Sequence, residues 1–223
     1  MKLVEYPDRE AMWMGLADRL SSELGETLRS EPRASLCVPG GSTPGPVFDL
    51  LSASRLDWDR VTVFPNDERW VPESEERSNG RLLRRRLLVE RAAAANYLPL
   101  YAPTETPEEA IPALAAAIEP HLPISVLLLG MGADMHVASL FPGADRLAAA
   151  LAPDAPVLVP IRAAAAGEPR VTLSARVLAG AMRIHILIAG EDKRAALEAA
   201  RSLPPEEAPV RAVLANATVH WAA

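Results

Sequence analysis

Asp134 and His136 have the residue types and spacing of an acid–base pair. They lie two positions apart in the run Gly130-Met131-Gly132-Ala133-Asp134-Met135-His136. A carboxylate at that distance can fix the imidazole tautomer and favour its protonated form, as a general base requires. An ordinary surface ion pair would read the same way. The glycines before the pair permit a sharp turn and expose backbone amides. His121, His185 and His220 have no comparable surroundings: His185 alternates within an apolar run and His220 sits near the C-terminus, so both read as structural. Four scattered histidines, one cysteine and no HExxH give no metal-ligand spacing, and no metal site is expected.

Three further stretches carry polar chemistry. In Gly40-Gly41-Ser42-Thr43-Pro44, two glycines allow close approach to the backbone, and Ser42 and Thr43 offer hydroxyls. Thr43 as cap with Pro44 at the first helical position would present free amides beyond the loop, an arrangement that suits an anion; a plain turn and cap is the other reading. The loop lacks the P-loop lysine and is not a GxGxxG fingerprint. In Asn66-Asp67-Glu68-Arg69, Asp67 and Arg69 face the same way if the segment stays extended. Ser78-Asn79 is a good N-cap pair for a following helix. In Gly190-Glu191-Asp192-Lys193, Lys193 begins a helix, where its charge opposes the dipole; an anion at that place would offset the cost.

The elements that must position these residues follow from hydrophobic periodicity. Leu16, Leu20, Leu24 and Leu28 recur every four residues and predict a helix from about 8 to 30. Apolar runs predict buried strands at 34–39, 61–64, 124–129, 157–161, 184–188 and 217–220, with a short strand at 2–6. Between them, helices are predicted near 44, over 80–90, 107–121 and 192–203, and 65–79 reads as a polar loop. Alternating strands and helices imply an α/β fold with a largely parallel sheet, and ligands bind such sheets beyond the carboxyl ends of the strands. The four polar stretches follow four of those strands. No repeat or long linker divides the chain, so one domain over 1–223 is expected, with 162–169 as a candidate mobile loop.

Composition sets outer bounds. The 223 residues are 49% hydrophobic and 23% charged, ordinary for a globular chain long enough to bury its own core. Twenty-three Lys and Arg against 29 Asp and Glu give a net charge of −6, which argues against a general binder of nucleic acid or anionic membrane. The single cysteine, Cys37, lies between Leu36 and Val38 and reads as a core residue. The opening MKLVEYPDRE has acids where a signal peptide is apolar, and runs such as 126–129 fall far short of a membrane span, so a cytoplasmic protein is expected.

Taken in order, PGGSTP at 39–44, NDERWVP at 66–72 with SN at 78–79, GMGADMHVASLFPG at 130–143, EPRVTLS at 168–174 and GEDK at 190–193 resemble the 6-phosphogluconolactonase family over almost the whole chain. That family is similar to the glucosamine-6-phosphate deaminases, and ASLFPG at 138–143 is similar to the lactonase version. The resemblance implies a three-layer, Rossmann-like α/β fold. It also implies hydrolysis of 6-phospho-D-glucono-1,5-lactone in the oxidative pentose phosphate pathway, with no cofactor and a phosphorylated sugar lactone as partner. It casts His136 as general base, oriented by Asp134, and Arg69, held by Asp67, as the group stabilising or positioning the lactone. The phosphate would sit on Gly40, Gly41, Ser42 and Thr43, with charge from Lys193 and Arg170. The alternatives are a phosphosugar isomerase or deaminase on the same fold and a non-catalytic phosphosugar-binding module. One departure stands out: the family usually reads Asp-Gly-His-Thr where this chain has Asp134-Met135-His136-Val137. If the glycine's place needs positive φ, Met135 is strained there.

Overall fold

The computed structural model describes residues 1–164 and 166–223. Part of the expected loop at 162–169, Ala165, lies outside the described residues. In chain order the elements are β1 (Lys2–Glu5), α1 (Arg9–Ser30), β2 (Ala34–Val38), α2 (Gly45–Ser52), β3 (Val61–Pro65), β4 (Asp67–Arg69) and α3 (Asn79–Arg86). There follow β5 (Asn96–Tyr97), α4 (Pro107–Ile118), β6 (Val126–Gly130), α5 (Leu147–Leu151), β7 (Leu158–Ile161), β8 (Arg170–Leu173) and α6 (Ala175–Ala179). The chain ends with β9 (Ile184–Ala189), α7 (Glu191–Ala200), α8 (Arg211–Leu214) and β10 (Ala217–Ala222).

Seven strands form a wholly parallel sheet in the order β1-β10-β9-β6-β2-β3-β5. Alternate side chains leave its two faces. From β2, Leu36 and Val38 join Leu16, Leu20 and Leu24 of α1, Phe48 of α2 and Leu83 of α3; Cys37 points the other way, among Leu114 of α4 and Leu197 of α7. The same alternation separates Val126 and Leu128 from Leu127 and Leu129 in β6. Every second residue therefore serves a different helical layer, which explains why the central strands read as continuous apolar runs. The three layers and the parallel sheet are as expected. Cys37 is fully buried, and burial pushes its thiol well up from the ordinary value, so it is a core side chain.

The stretch 65–79, expected as a loop, holds a strand. β4 pairs antiparallel with β8, and β8 with β7, in a second sheet of order β4-β8-β7. Asp-Glu-Arg has no strand-like composition. Its backbone is recruited by β8 across about a hundred residues, a long-range pairing that local pattern does not encode.

Candidate active site

A cleft of about 260 Å³ opens beyond the carboxyl ends of β2, β3, β6 and β9, where parallel sheets bind ligands. Four chain segments wall it: Pro39–Pro44 after β2, Asn66 to Arg69 after β3, Gly130 to Ala138 from the end of β6 onward, and Ala189 at the end of β9 with Lys193 beyond it. Arg170 of β8 and Asn79 of α3 complete it. Of the expected site residues, Gly40, Gly41, Thr43, Asp67, Arg69, His136, Arg170 and Lys193 line the cleft. Ser42 lies within the same loop, and Asp134 stands behind His136.

The His136 turn is tightly specified. Asp134 Oδ1 meets His136 Nδ1 at 2.5 Å. With Nδ1–H donated to the carboxylate, Nε2 is the ring nitrogen left to act as a base. Burial raises the Asp134 carboxyl, but the hydrogen bond and charge of His136 outweigh it, and the net position is below the usual carboxylate range. The turn closes on itself: Gly132 N–H donates to the His136 carbonyl and Met135 N–H to the Gly132 carbonyl, each at 3.0 Å. A Cβ on Gly132 would overlap the His136 ring and the Asp134 carboxylate, so only glycine admits the pair. Beneath the imidazole lies Phe141, with ring centroids 4.3 Å apart.

Met135 does adopt a left-handed backbone, at φ 65°, and Ala138 does so at φ 51°. Two non-glycine residues on either side of His136 thus occupy a region costly for side chains. Met135 is anchored there: its side chain packs on the apolar core, and its carbonyl accepts Val210 N–H at 3.0 Å.

Asp67 does not hold Arg69, contrary to expectation. Its Oδ2 lies 3.5 Å from Arg170 Nη1 and accepts the Ser139 hydroxyl, while Oδ1 accepts Asn79 Nδ2 at 3.1 Å. The cause is the antiparallel register, which sets Asp67 against Thr172 and Arg69 directly opposite Arg170. Arg170 reaches diagonally to the carboxylate, and the Arg69 guanidinium turns to the Arg77 carbonyl. Burial lowers Arg170 from its ordinary value, with Asp67 opposing and Arg69 adding to the effect. The guanidinium also lies over Phe141, 5.3 Å from the ring centroid, so one aromatic ring touches both Arg170 and His136.

Thr43 is not the cap of α2. Gly45 N–H donates to the Ser42 carbonyl at 3.3 Å, Pro44 takes the cap position, and the helix begins at Gly45 with Pro46 in its first turn. The turn leaves Ser42 and Thr43 exposed. A Cβ on Gly40 would overlap the Asn79 amide, which braces the loop from below. Lys193 stands in the first turn of α7, half-buried at the cleft, and among the described residues no carboxylate pairs with it.

Several contributors were not read from sequence. Ser139, Asn66, Asn79 and Phe141 hold the cleft from within the family-like motifs, where sequence alone assigned none of them a role of its own. Asn66 donates from Nδ2 to the Leu128 carbonyl at 3.1 Å, tying β3 to β6. Asn79 was expected in a cap pair. Ser78 is that cap, accepting Arg81 N–H at 3.1 Å, while the Asn79 side chain serves Asp67. His185 and His220 are buried away from the cleft, as expected. Among the described residues no cluster of three or more His, Cys, Asp or Glu is arranged to hold a metal, and no helix is long and apolar enough to cross a membrane.

The family model for glucosamine-6-phosphate isomerases and 6-phosphogluconolactonase matches residues 7–221. The chain belongs to this family. Within it, the 6-phosphogluconolactonase of Mesorhizobium japonicum is 42% identical, covering 97% of this chain and 93% of its own. That of Rhizobium meliloti is 40% identical over 100% and 98%. The crystal structure of a 6-phosphogluconolactonase from Shewanella baltica superposes with a TM-score of 0.96 at 33% identity, covering 100% of this chain and 98% of that one. A monomeric glucosamine-6-phosphate deaminase, 16% identical with a TM-score of 0.82, shares the fold.

Proposed function

We propose that this chain is a lactonase that hydrolyses 6-phospho-D-glucono-1,5-lactone to 6-phosphogluconate, the hydrolytic step of the oxidative pentose phosphate pathway. The observation that carries the reading is the Asp134–His136 pair at 2.5 Å, opening on a cleft whose other walls hold Arg69, Arg170 and Lys193. The near-full-length likeness to 6-phosphogluconolactonases at about 40% identity supports the same substrate.

In this scheme Nε2 of His136 takes a proton from water as the water oxygen attacks the lactone carbonyl carbon. Such a base contributes roughly 10²–10⁴ in rate. Asp134 keeps the imidazole in the working tautomer and stabilises the imidazolium that forms. The carbonyl electrons pass to oxygen, and Arg69 faces the cleft as the cation that stabilises this oxyanion. Collapse breaks the bond to the ring oxygen, and the imidazolium returns its proton to that leaving oxygen. One water is consumed, and the ring opens to a carboxylic acid and a hydroxyl. The 6-phosphate rests on the amides and hydroxyls of Gly40 to Thr43, with Lys193 and Arg170 supplying charge. Asp67 acts by holding Arg170 in place. The chemistry asks for nothing beyond side chains, backbone amides and water.

The test is hydrolysis of freshly generated lactone, measured against its spontaneous rate in the same run. The parent protein accelerates it, and His136→Ala loses most of the acceleration while still binding 6-phosphogluconate. A variant as fast as the parent refutes the general-base role. Binding without turnover by the parent would favour a phosphosugar-binding module.

A further inference from the structure

Glu68 is the most buried carboxylate among the described residues, 1% exposed, yet it does not line the cleft. A buried carboxylate is costly unless its oxygens are fully hydrogen-bonded. Here they are. Oε1 accepts Arg69 N–H and Asn79 N–H, both at 2.8 Å; Oε2 accepts Gly80 N–H at 2.7 Å and the Ser78 hydroxyl at 3.1 Å. Two of those donors are amides of the first turn of α3, which a helix leaves unsatisfied. The helix already has its cap in Ser78, so Glu68 supplies more than capping. Next to it the same two segments are zipped further: Asn79 Nδ2 donates to the Asp67 carbonyl at 2.8 Å and to its carboxylate.

We propose that Glu68 is a positioning residue for the cleft: its carboxylate clamps β4 to the first turn of α3, and so sets where Arg69, Asp67 and, through Asp67, Arg170 stand. This assignment rests on the lactonase reading only for its effect on turnover. A side chain at residue 80 would break the clamp, because a Cβ there would overlap the Tyr97 hydroxyl and crowd both Glu73 and Glu68. Glycine is the residue that brings its N–H this close.

The clamp also has a charge state. Burial pushes the Glu68 carboxyl up to about 7, against the three amides that pull it down, and Asp67 adds to the rise. Around Gly80 the Glu68 carboxyl shares space with Glu73 from the loop before α3 and Tyr97 of β5, and Arg84 of α3 stands beyond them, paired with Glu73 and over the Tyr97 ring. Protonation removes the charge that the three amides face and turns one oxygen into a donor; on Oε2 the Ser78 hydroxyl can turn to accept that proton, while the N–H contacts lose a charged partner, which weakens the clamp.

The experiment follows the backbone amide resonances of Arg69, Asn79 and Gly80 in the full chain from pH 5 to 8.5, alongside lactone hydrolysis. The three amides should titrate together with one midpoint near 7. Ser78→Ala, which removes one donor to the carboxylate, should raise that midpoint. Glu68→Gln should abolish the common titration, lower kcat/KM at least tenfold at pH 8, and remove the matching acid limb from the pH profile. Three amides that titrate independently overturn the clamp. So does Glu68→Gln with the parent's kcat/KM and pH profile. If Glu68→Gln does not fold, the parent and Ser78→Ala titrations decide. If the parent does not accelerate lactone hydrolysis, the lactonase reading fails while the amide titrations still judge the clamp.

Discussion

Asp67 and Arg170 meet at 3.5 Å across the β4–β8 pair, and the carboxylate that holds this arginine is itself held by Ser139 and Asn79. Side chains from β8, α3 and the loop after β6 therefore converge on one carboxylate at the cleft. Asp67→Asn keeps the shape but removes the charge facing Arg170. It should lower stability by about 1–3 kcal/mol, the scale for a charge-assisted hydrogen bond in a buried setting, and reduce kcat/KM at least tenfold. Urea denaturation and steady-state hydrolysis measure the two effects. Parent-like values in both would mean that Asp67 does not set the place of Arg170.

Lys193 allows a sharper separation. It stands at the cleft with no carboxylate partner among the described residues, in a helical turn that disfavours its charge. Lys193→Ala should raise KM for the phosphorylated lactone by roughly ten- to a hundredfold, since hydrogen bonds to charged groups contribute about 1.5–3 kcal/mol. Hydrolysis of unphosphorylated gluconolactone should not change. Equal losses on both substrates would place Lys193 away from the phosphate.

The parallel sheet was legible because each central strand serves two apolar layers, as Leu36 and Cys37 do on opposite faces. The Asp134–His136 pair was legible because both partners lie in one turn, where spacing alone brings them together. Arg69 lines the cleft as the sequence suggests, but its expected pairing with Asp67 fails, because the face shared by residues two apart says nothing of what stands across the sheet; Arg170, over a hundred residues away, takes the carboxylate instead. Glu68 was silent for a similar reason. Its partners at 78–80 are local enough to touch but too distant for any periodic pattern, and a buried carboxylate looks in sequence like a solvated one. Thr43 had the composition of a cap, yet the turn closed by Gly45 N–H on the Ser42 carbonyl moved the helix start past Pro44.

Met135 carries a conformational test. At φ 65° any side chain is disfavoured, by about 1–2 kcal/mol for an L-residue in this region. Met135→Ala and Met135→Gly both lose the packing against the core, so comparing them isolates the backbone. The glycine variant should be more stable than the alanine variant by about 1 kcal/mol, the reverse of their order in a helix. Urea midpoints at equal m-values decide it. An alanine variant as stable as the glycine one would show that the turn relaxes away from positive φ when the methionine anchor is gone. That result would also explain any loss of turnover common to both.

The buried histidines give a pH dependence of stability separate from the cleft. Glu23 Oε2 accepts from His185 Nε2 at 2.7 Å, His185 Nδ1 lies 3.0 Å from His220 Nε2, and Tyr6 donates its hydroxyl to His220 Nδ1 at 2.8 Å. One assignment satisfies all three contacts with both rings neutral: each histidine donates from Nε2 and accepts at Nδ1. A further proton on His220 would sit on Nδ1, facing the Tyr6 hydroxyl, and among the described residues no carboxylate pairs with it there. Burial first, then His185, Arg19 and Lys2, depress it to about 3. The unfolded chain, titrating near the ordinary value of about 6.5, binds more protons than the native one between those limits. Stability from this site is therefore present above about pH 6.5 and is lost progressively as pH falls towards 3, on the order of a few kcal/mol in total. Glu68, raised to about 7, acts with the opposite sign, adding stability as pH falls from there towards the ordinary carboxylate value. The parent's net slope mixes the two, so a difference is needed. His220→Gln should lose less stability than the parent between pH 7 and pH 4.5, measured by urea denaturation at both, with the Glu68 contribution common to the two proteins. Equal losses would mean that His220 keeps an ordinary proton affinity in the folded chain and that the neutral relay from Glu23 to Tyr6 is not its resting state.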